Sequence, residues 1–242
     1  MNKKKLLSLS LVVMMIAILS FSSLAWFSDS DSVTNNFDIA GGENNDPDEI
    51  FSIDVMEAVD KDGDGDYDMD DATIGAEGDT TNDGTFTYEK ILPGDMLVKR
   101  PQTKNTGSYE QWLRMNVTFD NATYWVALMQ KYGYTDMTDM LYMNDGVTKL
   151  TASNKWTRGE TTVEGDKVTY VFYYNETLEP GEFAHFFGYV YIPTQFTQQD
   201  MAPFTDGDFQ MVITGEAIQV KNLEADNAKD AFAIVLADQP IG

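Results

Sequence analysis

The chain has no cysteine, so disulfides, Cys-ligated metals and thiol catalysis are excluded. It has one histidine, His185, and no His-Glu-x-x-His, so the usual two-histidine zinc peptidase site lacks its ligands. A Ser-His-Asp triad would have to use the same His185, and no Gly-x-Ser-x-Gly elbow is present. Positive charge is scarce: 16 Lys and Arg stand against 40 Asp and Glu, a formal net charge of −24. So acidic a chain does not bind nucleic acid or anionic lipid by charge. Beyond residue 25 no apolar run is long enough to cross a bilayer.

The N-terminus has the opposite character. Lys3, Lys4 and Lys5 precede a charge-free stretch, Leu6 to Leu24, that is apolar apart from five serines. Ser23-Leu24-Ala25 then places small residues at −3 and −1 of a cut after Ala25. This is a secretory signal pattern, and residues 1–25 are predicted to be removed by a signal peptidase during export. Loss of the three lysines takes the charge from −24 to −27 and leaves 217 residues, enough for one β domain with a real core. The predicted product is extracellular and has no membrane segment after cleavage.

The mature chain alternates with period 2. Val33, Asn35, Phe37 and Ile39 predict a first strand, closed by Gly41-Gly42, so that residues 26–42 form a strand segment with a flexible joint. Phe51, Ile53 and Val55 predict a second. Trp112 to Phe119 is a strong strand with Leu113, Met115, Val117 and Phe119 on its core face. Asp120 or Asn121 is placed to cap a helix over Ala122–Lys131. Val168, Tyr170, Phe172 and Tyr174 share one strand face, and Phe183 to Ile192 predicts a dense central strand. Leu92-Pro93-Gly94-Asp95 and Leu178-Glu179-Pro180-Gly181-Glu182 are turns, with Pro fixing φ and Gly free to take φ > 0. Ala225 to Leu236 predicts a terminal helix. Nine to eleven strands with frequent turns give an all-β fold, an antiparallel jelly-roll-like β-sandwich spanning residues 43–242 with one or two short helices. Trp112 and Trp156 are read as packing residues in preference to sugar-stacking ones.

Residues 60–85 interrupt this pattern as an acidic loop insertion. Within it, Asp60, Asp62, Asp64, Asp68 and Asp71 fall at positions 1, 3, 5, 9 and 12 of a calcium loop. Gly65 stands at position 6 for the sharp turn, and Asp66 at position 7 offers its backbone carbonyl. Calcium wants six to eight hard oxygens, which this spacing can wrap around one ion. Seven carboxylates in twelve residues repel one another until a cation arrives. Asp79, Asn82 and Asp83 form a less specific second cluster.

Several segments together resemble a known family. Ala25-Trp26-Phe27-Ser28-Asp29 after a Lys-rich start resembles the exported TasA and camelysin-like proteins, cut by a SipW-type signal peptidase. Leu92-Pro93-Gly94-Asp95 with Asn105-Thr106-Gly107-Ser108, then Pro180-Gly181-Glu182 with Phe186-Phe187, and Gly215-Glu216-Ala217-Ile218-Gln219 are similar to that family's turns and strands. The resemblance implies a jelly roll and a cut after Ala25 or Trp26. It also implies a biofilm-matrix or cell-surface subunit that self-associates into filaments by donating its N-terminal strand. With no catalytic constellation, a non-enzymatic role is expected. Two other readings fit fewer features: a camelysin-like metallopeptidase, and a monomeric surface binding module.

Overall fold

The computed structural model describes residues 26–31, 51–58, 72–73, 85–89, 91–202, 209–221 and 223–237. Thirteen strands occur among them. The first seven are β1 (Trp26–Asp31), β2 (Ile53–Ala58), β3 (Ala72–Thr73), β4 (Thr85–Glu89), β5 (Met96–Val98), β6 (Pro101–Asn105) and β7 (Gln111–Phe119). After helix α1 (Ala122–Lys131) come β8 (Leu141–Tyr142), β9 (Trp156–Glu164), β10 (Lys167–Tyr174), β11 (Phe183–His185), β12 (Tyr189–Tyr191) and β13 (Phe209–Gln219). Helix α2 (Ala228–Ala237) follows. The strands form a six-stranded sheet in the order β4-β1-β13-β7-β10-β9, a four-stranded sheet β11-β6-β2-β3 and a three-stranded sheet β5-β12-β8. The predicted mostly-β architecture with two short helices is observed.

The centre of the large sheet follows directly from alternation. Leu113, Met115, Val117 and Phe119 have no solvent exposure, as expected of the core face of β7. Val168, Tyr170 and Phe172 of β10 and Met211 and Ile213 of β13 continue that row. Ile53 and Val55 of β2 meet it from the four-stranded sheet. Each such large apolar side chain contributes about 1.5–3 kcal/mol by leaving water. Gly215 allows the two sheets to close: a Cβ there would lie 2.7 Å from Val55 Cγ2. A second, smaller core lies on the opposite face, where Trp112, Val171 and Tyr173 receive Ala228, Ala231 and Phe232 of α2.

Three expectations are corrected. Phe183 to Ile192 is not one central strand. It breaks into β11 and β12, which belong to different sheets. Gly188 lies in the break, where a Cβ would come within 2.7 Å of Asn144 Cα. Second, α1 has the predicted span, but neither Asp120 nor Asn121 caps it with a side chain. Asn121 takes φ 54°, in the left-handed region, and makes no side-chain cap bond. The cap comes from the β9–β10 turn instead: Asp166 Oδ1 accepts from Thr123 N at 2.9 Å. Third, the insertion holds a short strand, since β3 pairs with Glu57 and Ala58 of β2.

Candidate functional site: the N-terminal strand and its slot

β13 is the longest strand among the described residues, and its two edges are used differently. One edge pairs antiparallel with β7 from Met211 to Gln219. The other pairs with β1 from Phe209 to Ile213, and that pairing is parallel. On its far edge β1 pairs antiparallel with β4, from Trp26 opposite Glu89 to Ser30 opposite Thr85. The first residues after the predicted export cut thus fill a slot between β13 and β4.

Two features set β1 apart from the other strands of the sheet. Ser28, Asp29, Ser30 and Asp31 are weak strand formers, so this segment is a strand because ladders hold both its edges, not by local preference. Its pairing with β13 is the one parallel pairing among the described strands, and parallel neighbours cannot be joined by a tight turn. The bond between β1 and its slot is therefore a main-chain ladder reached through a long connection. The strand predicted over Val33–Ile39 lies outside the described residues, so the described N-terminal strand begins earlier than alternation suggested.

Beyond the stretch that pairs with β1, side chains tie β13 to β7. Arg114 Nη2 donates to Glu216 Oε2 at 2.7 Å. Asn116 Nδ2 donates to Glu216 Oε1 at 2.8 Å and to Thr214 Oγ1 at 3.2 Å. The guanidinium of Arg114 also stacks on Phe232, 4.4 Å from its ring centre. Burial is the largest single influence and works against that charge, but the hydrogen bonds and charge attraction of Glu216 and Tyr173 together outweigh it and hold the guanidinium above its ordinary range. These contacts tie β13 to β7, and β7 to α2.

The other candidate residues fall elsewhere. Asp60, Asp62, Asp64, Asp66, Asp68 and Asp71 lie outside the described residues, as do Asp79, Asn82 and Asp83. Among the described residues no three His, Asp or Glu side chains are gathered to hold a metal. His185 lies in β11 opposite Gln102. Burial, and then the nearby Arg100, push its imidazole below its ordinary pKa. Its carbonyl accepts from Trp156 Nε1 at 2.8 Å, which is a packing contact. Trp112 and Trp156 are 7% and 2% exposed, so neither offers a ring to a sugar.

Two polar features were not visible in the sequence. Glu57 accepts from Lys99 Nζ at 2.8 Å and from the Arg100 backbone N–H, all buried. Asp200, 7% exposed, accepts from Tyr132 Oη at 2.6 Å, Lys131 Nζ at 2.9 Å and Thr197 Oγ1 at 2.7 Å. Both join residues distant in sequence, and no short motif signals them. Comparison of the chain with protein-family models, with curated proteins and with solved structures found no match.

Proposed function

We propose that this chain is an exported, non-enzymatic matrix or cell-surface subunit that polymerises by exchanging its N-terminal strand between copies. The observation that carries this reading is the slot between β13 and β4, filled by a weak strand former held through backbone ladders on both edges. A second copy offers the same segment, and backbone ladders do not distinguish whose strand they hold. Head-to-tail exchange does not close, so its product is a filament. The signal-peptide pattern supplies the route, since β1 starts at the residue after the predicted cut. The resemblance to the TasA and camelysin-like proteins supports the same role, and with it a jelly-roll arrangement of the sheets. In this reading the insertion binds calcium through Asp60, Asp62, Asp64, Asp66, Asp68 and Asp71, and extracellular calcium relieves their mutual repulsion.

Electron microscopy of the mature chain, with and without calcium, tests it. Filaments are expected from residues 26–242 and not from residues 43–242. A mature chain that stays monomeric under all conditions sinks the proposal. Calorimetry tests the loop separately: calcium at millimolar concentration should release or absorb heat. That heat should vanish in Asp60→Ala/Asp64→Ala, and an unchanged titration refutes the site.

A further inference from the structure

Among the described residues the large sheet ends on β9. β9 runs nine residues, and from Glu160 to Glu164 every residue is exposed. Val163 is 65% exposed, although its cross-strand neighbour Val168 is only 2% exposed. The strand contains no proline and no lysine, two of the residues that commonly block an edge.

The edge is also rigid. The turn after β9 has two residues, Gly165 and Asp166, with Gly165 at φ 59°. A glycine with positive φ at the first central position is the tight hairpin geometry that fits strand twist. Asp166 is tied to α1 twice, through its side chain to Thr123 N and through its carbonyl to Ala122 N, each at 2.9 Å. Behind the free segment, the register shifts between Tyr170 and Phe172, marking a bulge at Gly159 and Glu160. A Cβ on Gly159 would collide with the Tyr173 ring, so the bulge needs glycine there.

Pairing geometry then says which groups face outward. Glu164 and Lys167 flank the two-residue turn and are hydrogen-bonded to each other across it. Alternation therefore turns the N–H and C=O groups of Thr161 and Val163 away from β10. Two such residues, separated by one, form a self-complementary unit. A two-fold axis through Thr162 sets Thr161 opposite Val163 of a second copy, and Val163 opposite its Thr161. No other two-fold register satisfies both residues without running into the bulge or the turn.

We propose that the free edge of β9 is a two-fold self-association surface, joining two copies through Thr161 and Val163 into one continuous sheet. The same register sets Glu160 opposite Glu164 of the other copy, twice. These carboxylates share one face: Glu160 accepts from Tyr173 Oη at 2.8 Å, and Glu164 lies across from Lys167. Like charges placed directly opposite oppose pairing, so the ionised glutamates keep the edge closed. The surface is thus complementary in backbone and repulsive in charge. It opens when one glutamate of each facing pair is neutralised, and it holds whether or not β1 is exchanged.

The absence of cysteine makes the test clean. At the axis the two Thr162 residues form a pair outside the hydrogen-bonded positions, with Cα atoms about 4.5 Å apart, within disulfide range. Thr162→Cys in the mature chain, oxidised mildly and run on a non-reducing gel, reports the register. In a Glu164→Gln background at neutral pH, Thr162→Cys should form covalent dimer at least about tenfold faster than Val147→Cys, an exposed loop control. Thr157→Cys, on the same edge but off the axis, should lag like the control. With Glu164 intact the advantage should largely disappear. Adding Val163→Pro removes an outward N–H without touching the ladder to β10, and should abolish dimer while circular dichroism stays unchanged. Equal cross-linking at Thr162 and Val147, or indifference to Val163→Pro, overturns the proposal. Neither result depends on whether residues 26–42 are needed for filaments, so the two readings fail separately.

Discussion

At the scale of single residues, Asp200 carries the most polar contacts of any carboxylate described above. Burial alone would raise its pKa. The hydrogen bonds from Tyr132, Thr197 and Lys131 outweigh burial and hold it well below the usual carboxylate range. Its backbone carbonyl also accepts from Tyr124 Oη at 3.0 Å, so the loop before residue 202 is latched to α1. A folded-state pKa below the unfolded value contributes stability that is complete above about pH 4 and is lost as pH falls toward the folded value. Asp200→Asn should therefore cost about 2–3 kcal/mol at neutral pH, since hydrogen bonds to a charged group are the strong ones. Thermal melts should also show a shallower loss of stability below pH 4 in the variant than in the wild type. Parallel acid limbs in the two proteins would show that the latch contributes nothing.

At the scale of elements, the break between β11 and β12 is the instructive case. The run Phe183 to Ile192 is apolar enough for one strand, yet its two halves pair with β6 and β5, in different sheets. Gly188 passes close against Asn144, and its N–H donates to the Tyr142 carbonyl at 2.7 Å. Gly188→Ala should cost about 1–3 kcal/mol, as over-packing does. Hydrogen exchange should rise first at Tyr189–Tyr191, and a variant as stable as the wild type would show that the close approach relaxes freely. Strands β7 and β10 and the span of α1 were legible because each is a long, periodic segment whose own side chains select its environment. β1 falls inside the strand segment expected over residues 26–42, but the alternation that suggested a strand lies at Val33–Ile39, and the Ser and Asp of β1 carry little strand signal of their own. The cap of α1 was hidden for a related reason, since Asp166 reaches Thr123 from 43 residues away.

At the scale of the whole molecule, a net charge of −24 dominates. Ion pairs such as Lys155–Glu176 at 2.7 Å and Lys149–Asp139 at 2.6 Å offset a small part of the mutual repulsion. Screening should therefore stabilise the fold. Raising sodium chloride from about 10 mM to 150 mM shortens the Debye length from about 30 Å to 8 Å. The melting temperature is expected to rise by about 2–5 °C, followed by circular dichroism. A flat or falling melting temperature would mean that the excess charge is spread too far apart to matter.

The residues by themselves determined the mostly-β class, strands β7 and β10, the span of α1 and the absence of thiol and two-histidine chemistry. These are properties of composition and of period, which each segment carries alone. Tertiary structure decided the rest: which strand flanks β13, where the run Phe183 to Ile192 divides, what caps α1 and which strand ends the large sheet among the described residues. Backbone ladders do not read side-chain sequence, and cross-strand partners here come from segments far apart in the chain. Pairing of that kind is settled only when the whole sheet closes.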